Sequence, residues 1–170
     1  QALSGFDVRD PGSIKTAVPD YLIELEDGVD QMRIGTTMTL GISDVNDDVA
    51  TAVENSWAAF SELGANVEKL AIAFDPIPRE AWWTLWTAGQ VAMYGHLADE
   101  RPEDLMPYTL EMIEHGRTLT GADVSLALRN VQNLQLQLHQ VFQEYDLILA
   151  PTNAAVAWPH LQPPEKIGSE

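Results

Sequence analysis

The sequence has 170 residues, the length of one ordinary domain, and 45% of them are hydrophobic, so the chain can bury a sizeable core. It has no cysteine, which excludes disulfides and thiolate metal sites, and no apolar run long enough to span a membrane. The formal net charge of -17, from 26 acidic and 9 basic residues, repels nucleic acid and anionic lipid, so we expect neither nucleic acid nor a membrane as a partner.

Residues 1–20 predict a loop, because Gly, Asp, Pro and Ser cluster in GFDVRDPGS. The segment lacks the apolar core of a secretory signal, and together with the absence of cysteine this favours a cytoplasmic location. Asp7 and Asp10 could act as an acid–base pair. In a turn, such carboxylates more often accept hydrogen bonds from nearby backbone N–H groups, and we expect that structural role.

A strand, a helix and a second strand are predicted next. QMRIGTTMTL (31–40) contains the first strand, because Ile34 and the threonines favour extended backbone. Asn46 is a good N-cap, Gly64 is a good helix stop, and the apolar residues between them recur at helical spacing: Val49, Val53, Trp57 and Phe60. NVEKLAIAF (66–74) predicts the second strand, which completes a right-handed βαβ unit.

Residues 79–145 form a long helical excursion. Pro78 opens the first helix (79–98), and Pro102 and Pro107 separate it from a second helix (104–119). TGAD (120–123) separates that helix from a third (124–145), whose apolar stripe is Ala127, Val131, Leu134, Leu138, Val141 and Phe142.

The apolar segment DLILA (146–150), stopped by Pro151, predicts a third strand. The fold class is therefore α/β, with three mainly parallel strands in the order 2-1-3, helices on both faces and the helical excursion before the last strand. We expect residues 1–153 to form a single α/β unit. Residues 154–170 lack an apolar pattern, and the stretch that begins at Pro151 has four prolines in twenty residues, which predicts a Pro-rich loop or a truncated tail.

The sequence contains no dinucleotide-binding, phosphate-loop, zinc-protease or nucleophile-elbow motif. Its four histidines are far apart, and those at 96 and 115 are flanked by polar helix residues, so we expect them to be solvated. Trp82 and Trp86 share one face of the first long helix, and Trp83 can also reach Trp86. Three tryptophans in AWWTLW suit core or interface packing, and they also suit an aromatic wall for an organic substrate.

Four segments occur in an order that resembles the amidase signature family, over roughly residues 4–153. They are GFDVRDPGS (5–13), MRIG (32–35), ELGANVEKL (62–70) and TGADVSLALRNVQNLQLQLHQVFQEYDLILAPT (120–152). The family includes bacterial amidases, fatty acid amide hydrolases and the glutamyl-tRNA amidotransferase A subunit. The resemblance implies an α/β/α fold larger than this chain.

The family's catalysis uses a serine nucleophile, a second serine and a lysine, which by the family layout precede GFDVRDPGS. No residue of this chain matches them, so the resemblance assigns no catalytic residue here. It implies that this chain is the middle-to-late third of such an enzyme, contributes scaffold and pocket surface, and is inactive alone. The implied parent cleaves a carboxamide bond of a linear amide through an acyl-enzyme, with no metal or organic cofactor.

The helical excursion is where family members differ most in the substrates they accept. On that resemblance the substrate-binding candidates are Trp83, Trp86, Met93, Thr152 and Asn153. The last two also have a physical argument, because ligands of open α/β sheets bind beyond the carboxyl ends of the strands. The implied ligand is a small-molecule amide.

Two alternatives remain open at the level of sequence. The chain could be a non-catalytic α/β interaction module, or it could belong to an amidotransferase A-type subunit that works in a complex. If the sheet continues into the rest of an amidase fold, its outer strands have open edges, and the 170 residues alone should aggregate or form a homodimer.

Overall fold

The structure is a computed structural model, and it describes residues 4–23, 25–160, 162, 164, 166 and 167. Residues 4–23 contain turns and no helix or strand, as the predicted loop requires. The described residues after 153 likewise lack helix and strand, and the rest of the predicted Pro-rich loop lies outside the described residues.

The described residues form three strands, four α-helices and one 3₁₀ turn. The strands are β1 (Arg33–Thr36), β2 (Asn66–Lys69) and β3 (Leu147–Leu149). The helices are α1 (Asp47–Glu62), α2 (Pro78–Glu100), α3 (Pro107–Thr118) and α4 (Gly121–Val141), with the 3₁₀ turn at Pro102–Asp104.

The sheet confirms the predicted topology. Its order is β2-β1-β3, and both pairings are parallel. In register, Ile34 lies opposite Val67 of β2 and Leu147 of β3. Strand β1 is therefore the centre of the sheet, and its carboxyl end meets the carboxyl ends of both neighbours at one edge.

The central strand is covered on both faces. Ile34 is fully buried and Thr36 is 2% exposed, and these two side chains point to one face. On the other face a Cβ added at Gly35 would lie 3.1 Å from Tyr145 Cδ1 and 3.3 Å from Leu70 Cβ. Glycine at this position lets the two neighbouring side chains close over the strand.

Helix α1 has the predicted limits, although its cap differs from the prediction. Gly64 follows the C-cap with φ of +94°, which is the left-handed conformation expected of a C′ glycine. Asn46 occupies the N-cap position, but its side chain makes no capping hydrogen bond. Its backbone N–H instead donates to the carbonyl of Ala154, at 2.8 Å.

The second strand is shorter than the sequence predicts, ending at Lys69 rather than residue 74. The reason is that β1 ends at Thr36, so only Leu70 N–H finds a further partner there, the Thr36 carbonyl at 2.8 Å. The chain beyond leaves the sheet, with Ala71 and Ala73 exposed and Phe74 buried. The apolar run therefore extends past the end of the strand.

The helical excursion is confirmed, but several helix ends differ from the predicted ones. The second helix begins at Pro107, because residues 102–104 form the 3₁₀ turn. The third begins at Gly121 instead of residue 124, because Thr120 and Asp123 form a capping box: Thr120 Oγ1 accepts from Asp123 N–H at 3.2 Å, and Asp123 Oδ2 accepts from Thr120 N–H at 2.7 Å. It ends at Val141, which leaves Phe142 47% exposed.

The apolar core among the described residues is small and consists mostly of alanines with a few larger side chains: Ile34, Ala65, Phe74, Ala81, Ile113, Ala127 and Ala155. The accessible surface is 12708 Å², whereas the size scaling of folded monomers gives about 8,300 Å² for a chain of 18.8 kDa. Much apolar surface is therefore uncovered. Among the described residues, no helix is both long and apolar enough to cross a membrane.

Candidate functional site

Two regions of the molecule combine a cavity with side chains that could bind a ligand. The first is the edge cavity, a space of about 200 Å³ at the carboxyl ends of β1 and β3. The loop after β1 contributes Met38, Thr39 and Ser43 to it, and the loop after β3 contributes Pro151 and Thr152. This is the position at which open parallel sheets bind ligands.

Hydrogen bonds hold the two loops of the edge cavity together. Thr37 N–H donates to the Leu149 carbonyl at 3.0 Å, and Thr37 Oγ1 accepts from Leu40 N–H at 3.1 Å. Gly41 follows with φ of +68°, and a Cβ added there would lie 2.8 Å from the Ala73 Cα. Only glycine combines that conformation with that approach, so this loop has a fixed shape.

The second region is a cluster of aromatic rings on α2. Trp82 and Trp86 stack with centroids 5.9 Å apart and an interplanar angle of 16°, which confirms their predicted common face. Trp82 also meets Trp83, at 6.0 Å. Trp82 is 54% and Trp86 47% exposed, so this cluster is not part of the core formed by the described residues.

The aromatic cavity, which we define as the space lined by Trp82, Trp83 and His115 between α2 and α3, has a volume of about 730 Å³. The Trp83 and His115 rings lie 5.7 Å apart at 34°. Its polar lining groups are Arg79, Glu80 and Thr84. The volume lies within the range typical of small-molecule sites.

A close helix crossing positions the rings of the aromatic cavity. At Gly116 of α3 an added Cβ would lie 2.7 Å from the Thr87 carbonyl carbon of α2, and closer still to its oxygen. Arg117 strengthens the crossing by donating to the Gly95 carbonyl at 3.0 Å and to both carboxylate oxygens of Asp99 at 2.8 Å. These contacts place His115 against Trp83.

The predicted substrate-binding residues do not converge on one cavity. Trp83 lines the aromatic cavity, Trp86 lines two neighbouring grooves of about 430 and 420 Å³, and Thr152 lines the edge cavity. Met93 is 61% exposed on α2, about 15 Å along the helix from Trp83, and Asn153 is exposed. Whether any of them binds substrate stays a prediction.

The His115 side chain is exposed, as the sequence predicts, but its ring also contacts Trp83, a contact that the sequence does not indicate. A usable signal was the neighbouring glycine, because a glycine inside a helix often marks the close approach of another backbone. Gly116 does so here, and it is buried.

The pKa shifts among the described residues arise at structural contacts. The Arg33 side chain and then its backbone N–H donate to Asp146 and lower the pKa of that carboxyl, and Asp146 in turn raises the pKa of Arg33. Hydrogen bonds from Arg9 lower the pKa of Asp7, while Asp10 Oδ1 accepts from Gly12 N–H at 2.8 Å. Both loop aspartates therefore have the expected structural role.

No group of metal-binding side chains comes together among the described residues. Four of the described serines make local contacts. Ser13 bonds to Asp7 within the N-terminal loop, and Ser56, Ser61 and Ser125 donate to carbonyls of their own helices. Their geometry is that of turn and helix serines.

A parallel three-stranded sheet, an edge cavity and a helical excursion with an aromatic cavity define the class of the chain as α/β, with a parallel sheet. The sequence model of the family described as Amidase matches residues 1–170, so the chain belongs to the amidase family. This confirms the resemblance seen in the sequence segments.

Two relatives and one solved structure illustrate the match. An acylamidase of Rhodococcus erythropolis is 26% identical over 92% of this chain and 33% of its own length. The glutamyl-tRNA(Gln) amidotransferase A subunit of Ligilactobacillus salivarius is 25% identical over 92% of this chain and 37% of its own. The structure of a bacterial aryl acylamidase of the amidase signature family superposes with a TM-score of 0.78 and 26% identity, over 88% of this chain and 32% of that one. The chain thus spans about a third of the relatives it matches.

Proposed function

We propose that this chain is part of an amide hydrolase that cleaves the carboxamide C–N bond of a linear amide. The observation that carries the proposal is the family match over residues 1–170, together with the fold likeness to a bacterial aryl acylamidase. In this proposal residues 1–153 form one α/β unit that supplies scaffold and pocket surface. The nucleophile lies outside the 170 residues, so the chain alone is inactive.

The proposed reaction is acyl transfer through a serine of the parent protein. The serine oxygen attacks the amide carbonyl carbon, and the C–N bond breaks as the leaving nitrogen takes a proton. Water then attacks the resulting ester, releases the carboxylic acid and restores the serine. Donors aimed at the carbonyl oxygen stabilise both tetrahedral intermediates. No metal or organic cofactor takes part in this scheme.

The pocket surface that this chain contributes is proposed to include Trp83, Trp86, Met93, Thr152 and Asn153. Support for the tryptophans comes from the aromatic rings that line the cavities around α2. Support for Thr152 and Asn153 comes from their place at the carboxyl edge of the sheet, and Thr152 lines the edge cavity. The ligand is a small-molecule amide, with neither nucleic acid nor a membrane as partner, and the location is cytoplasmic.

The test is labelling of the full-length gene product by a fluorophosphonate, which forms a bond with activated serines. We expect one modified serine, found by peptide mass spectrometry outside these 170 residues, and loss of amide hydrolysis in step with labelling. The control is heat-unfolded protein, in which the serine is no longer activated. A folded protein that resists labelling and hydrolyses no amide would contradict the proposal.

A second candidate is an amidotransferase A-type subunit that works in a complex. The observation that favours it is the likeness to the A subunit of a glutamyl-tRNA(Gln) amidotransferase over 92% of this chain. Affinity purification at endogenous expression separates the two, because a stoichiometric partner protein and glutamine-dependent activity are expected only of the amidotransferase. A non-catalytic interaction module would show neither labelling nor hydrolysis.

A further inference from the structure

The rings that line the aromatic cavity favour an aromatic ligand over an aliphatic one. Trp82, Trp83 and His115 surround it, with neighbouring ring centroids 6.0 and 5.7 Å apart and tilted by 42° and 34°. Rings held in this way present both faces and edges. A planar aromatic ligand gains from such contacts beyond the burial of its area, whereas an aliphatic ring of the same size gains burial only.

The polar side chains of the cavity favour a neutral ligand with a donor and an acceptor. Arg79 and Glu80 carry opposite charges, and within the described part of the chain neither side chain makes an ion pair or a hydrogen bond. The Thr84 hydroxyl also makes no hydrogen bond within the described part of the chain. A carboxamide matches this set, because its oxygen accepts from a guanidinium and its N–H groups donate to a carboxylate.

We infer that the aromatic cavity binds an aromatic carboxamide, with the ring against Trp83 and His115 and the amide group bound by Arg79 and Glu80. The inference rests on the proposed function for the choice of an amide, and on the rings and charges of the cavity for the choice of an aromatic one. It assigns His115 to ligand binding, a role that the sequence did not indicate.

Calorimetric titration of the full-length gene product with benzamide and with cyclohexanecarboxamide tests the inference, because these two amides differ only in the aromaticity of the ring. We expect the wild-type protein to prefer benzamide. Trp83→Leu should reduce that preference by about 2- to 12-fold, and Trp83→Phe, which keeps an aromatic ring, should retain most of it. Trp158→Leu is the control, because Trp158 is 52% exposed, lies in the loop after β3 and does not line the aromatic cavity.

The same titration with His115→Leu guards against a Trp83 variant that fails to fold, because His115 is exposed and its loss leaves the core intact. If neither folded variant changes the preference, or if benzamide does not bind, the inference is overturned. Hydrolysis is scored separately. If the protein hydrolyses amides but the variants do not change its preference for benzamide, the inference is overturned and the proposed function stands. If the preference depends on Trp83 but the protein hydrolyses no amide, the proposed function is overturned and the inference stands.

Discussion

The Asp146 carboxylate joins two strands that are far apart in the sequence. Its Oδ2 accepts from Arg33 N–H at 2.8 Å, and its Oδ1 accepts from Arg33 Nη2 at 3.1 Å. Asp146 N–H donates back to the Arg33 carbonyl at 2.8 Å. One residue pair thus fixes the start of the β1–β3 pairing, and with it the register that delivers both loops to the edge cavity.

We expect Asp146→Asn to lower the melting temperature in a pH-dependent way. The folded-state pKa of Asp146 is below its ordinary value because Arg33 donates to the carboxylate. The stabilisation is therefore fully present above the unfolded-state pKa of about 4 and is lost as the pH falls through the folded-state pKa. Melting curves of both proteins should differ at pH 7 and converge in acid. Asp7→Asn is the control, because its partner Arg9 is only two residues away; an equal effect there would contradict this role of Asp146.

At the level of elements, the α2–α3 crossing depends on the absence of a side chain at Gly116. Gly116→Ala should destabilise the protein by about 1–3 kcal/mol, because the added methyl group would meet the Thr87 backbone rather than a movable side chain. Gly89→Ala on α2 is the matched control. Nothing lies within 4 Å of its added Cβ, so it should stabilise by about 0.5–1 kcal/mol. Urea unfolding measures the change in unfolding free energy for each variant. If both substitutions stabilise the protein, or both destabilise it, the close α2–α3 crossing at Gly116 is contradicted.

The two helix caps give a further contrast. Thr120→Ala removes the hydroxyl that accepts from Asp123 N–H and should cost about 1 kcal/mol of unfolding free energy. Asn46→Ala at the start of α1 should cost much less, because the Asn46 side chain makes no capping bond. Urea unfolding of the two variants measures both losses of unfolding free energy. A larger loss for Asn46→Ala than for Thr120→Ala would contradict the observed caps.

The sequence predicts the elements better than their ends. Apolar patterns predict three strands and four helices, because burial of one helix face or one strand depends on local pattern. The predicted 2-1-3 order is also confirmed, but apolar periodicity does not determine strand order. The end of β2 was missed because it depends on where β1 stops, which is a tertiary fact. The meeting of His115 with Trp83 was missed for the same reason, since it depends on the Gly116 crossing.

In the molecule as a whole, many large apolar side chains are exposed on α2 and in the loops. Examples are Trp82, Trp86, Met93, Met106 and Trp158, all 47% exposed or more. Exposed apolar surface of this kind often marks a region that another chain segment or another copy covers. The net charge of -17 opposes association of like copies. Two copies therefore associate only if burial of the apolar faces and pairing of the open edges of β2 and β3 stabilise the complex by more than this repulsion.

We therefore expect the 170 residues expressed alone to aggregate or form a homodimer, and we expect association to grow with added salt as the charge is screened. Light scattering coupled to size-exclusion chromatography at low and high salt measures this. A stable monomer with a cooperative melt at both salt concentrations would contradict this expectation, because the exposed apolar surface would then be stable in water.

We propose that the protein containing this chain hydrolyses linear amides. The decisive measurement is release of ammonia from benzamide by the purified full-length gene product, without ATP, glutamine or a partner protein. We expect saturable release that stops after fluorophosphonate treatment. A folded, monodisperse protein that releases no ammonia from benzamide, nor from an aliphatic amide such as butyramide, would contradict the claim.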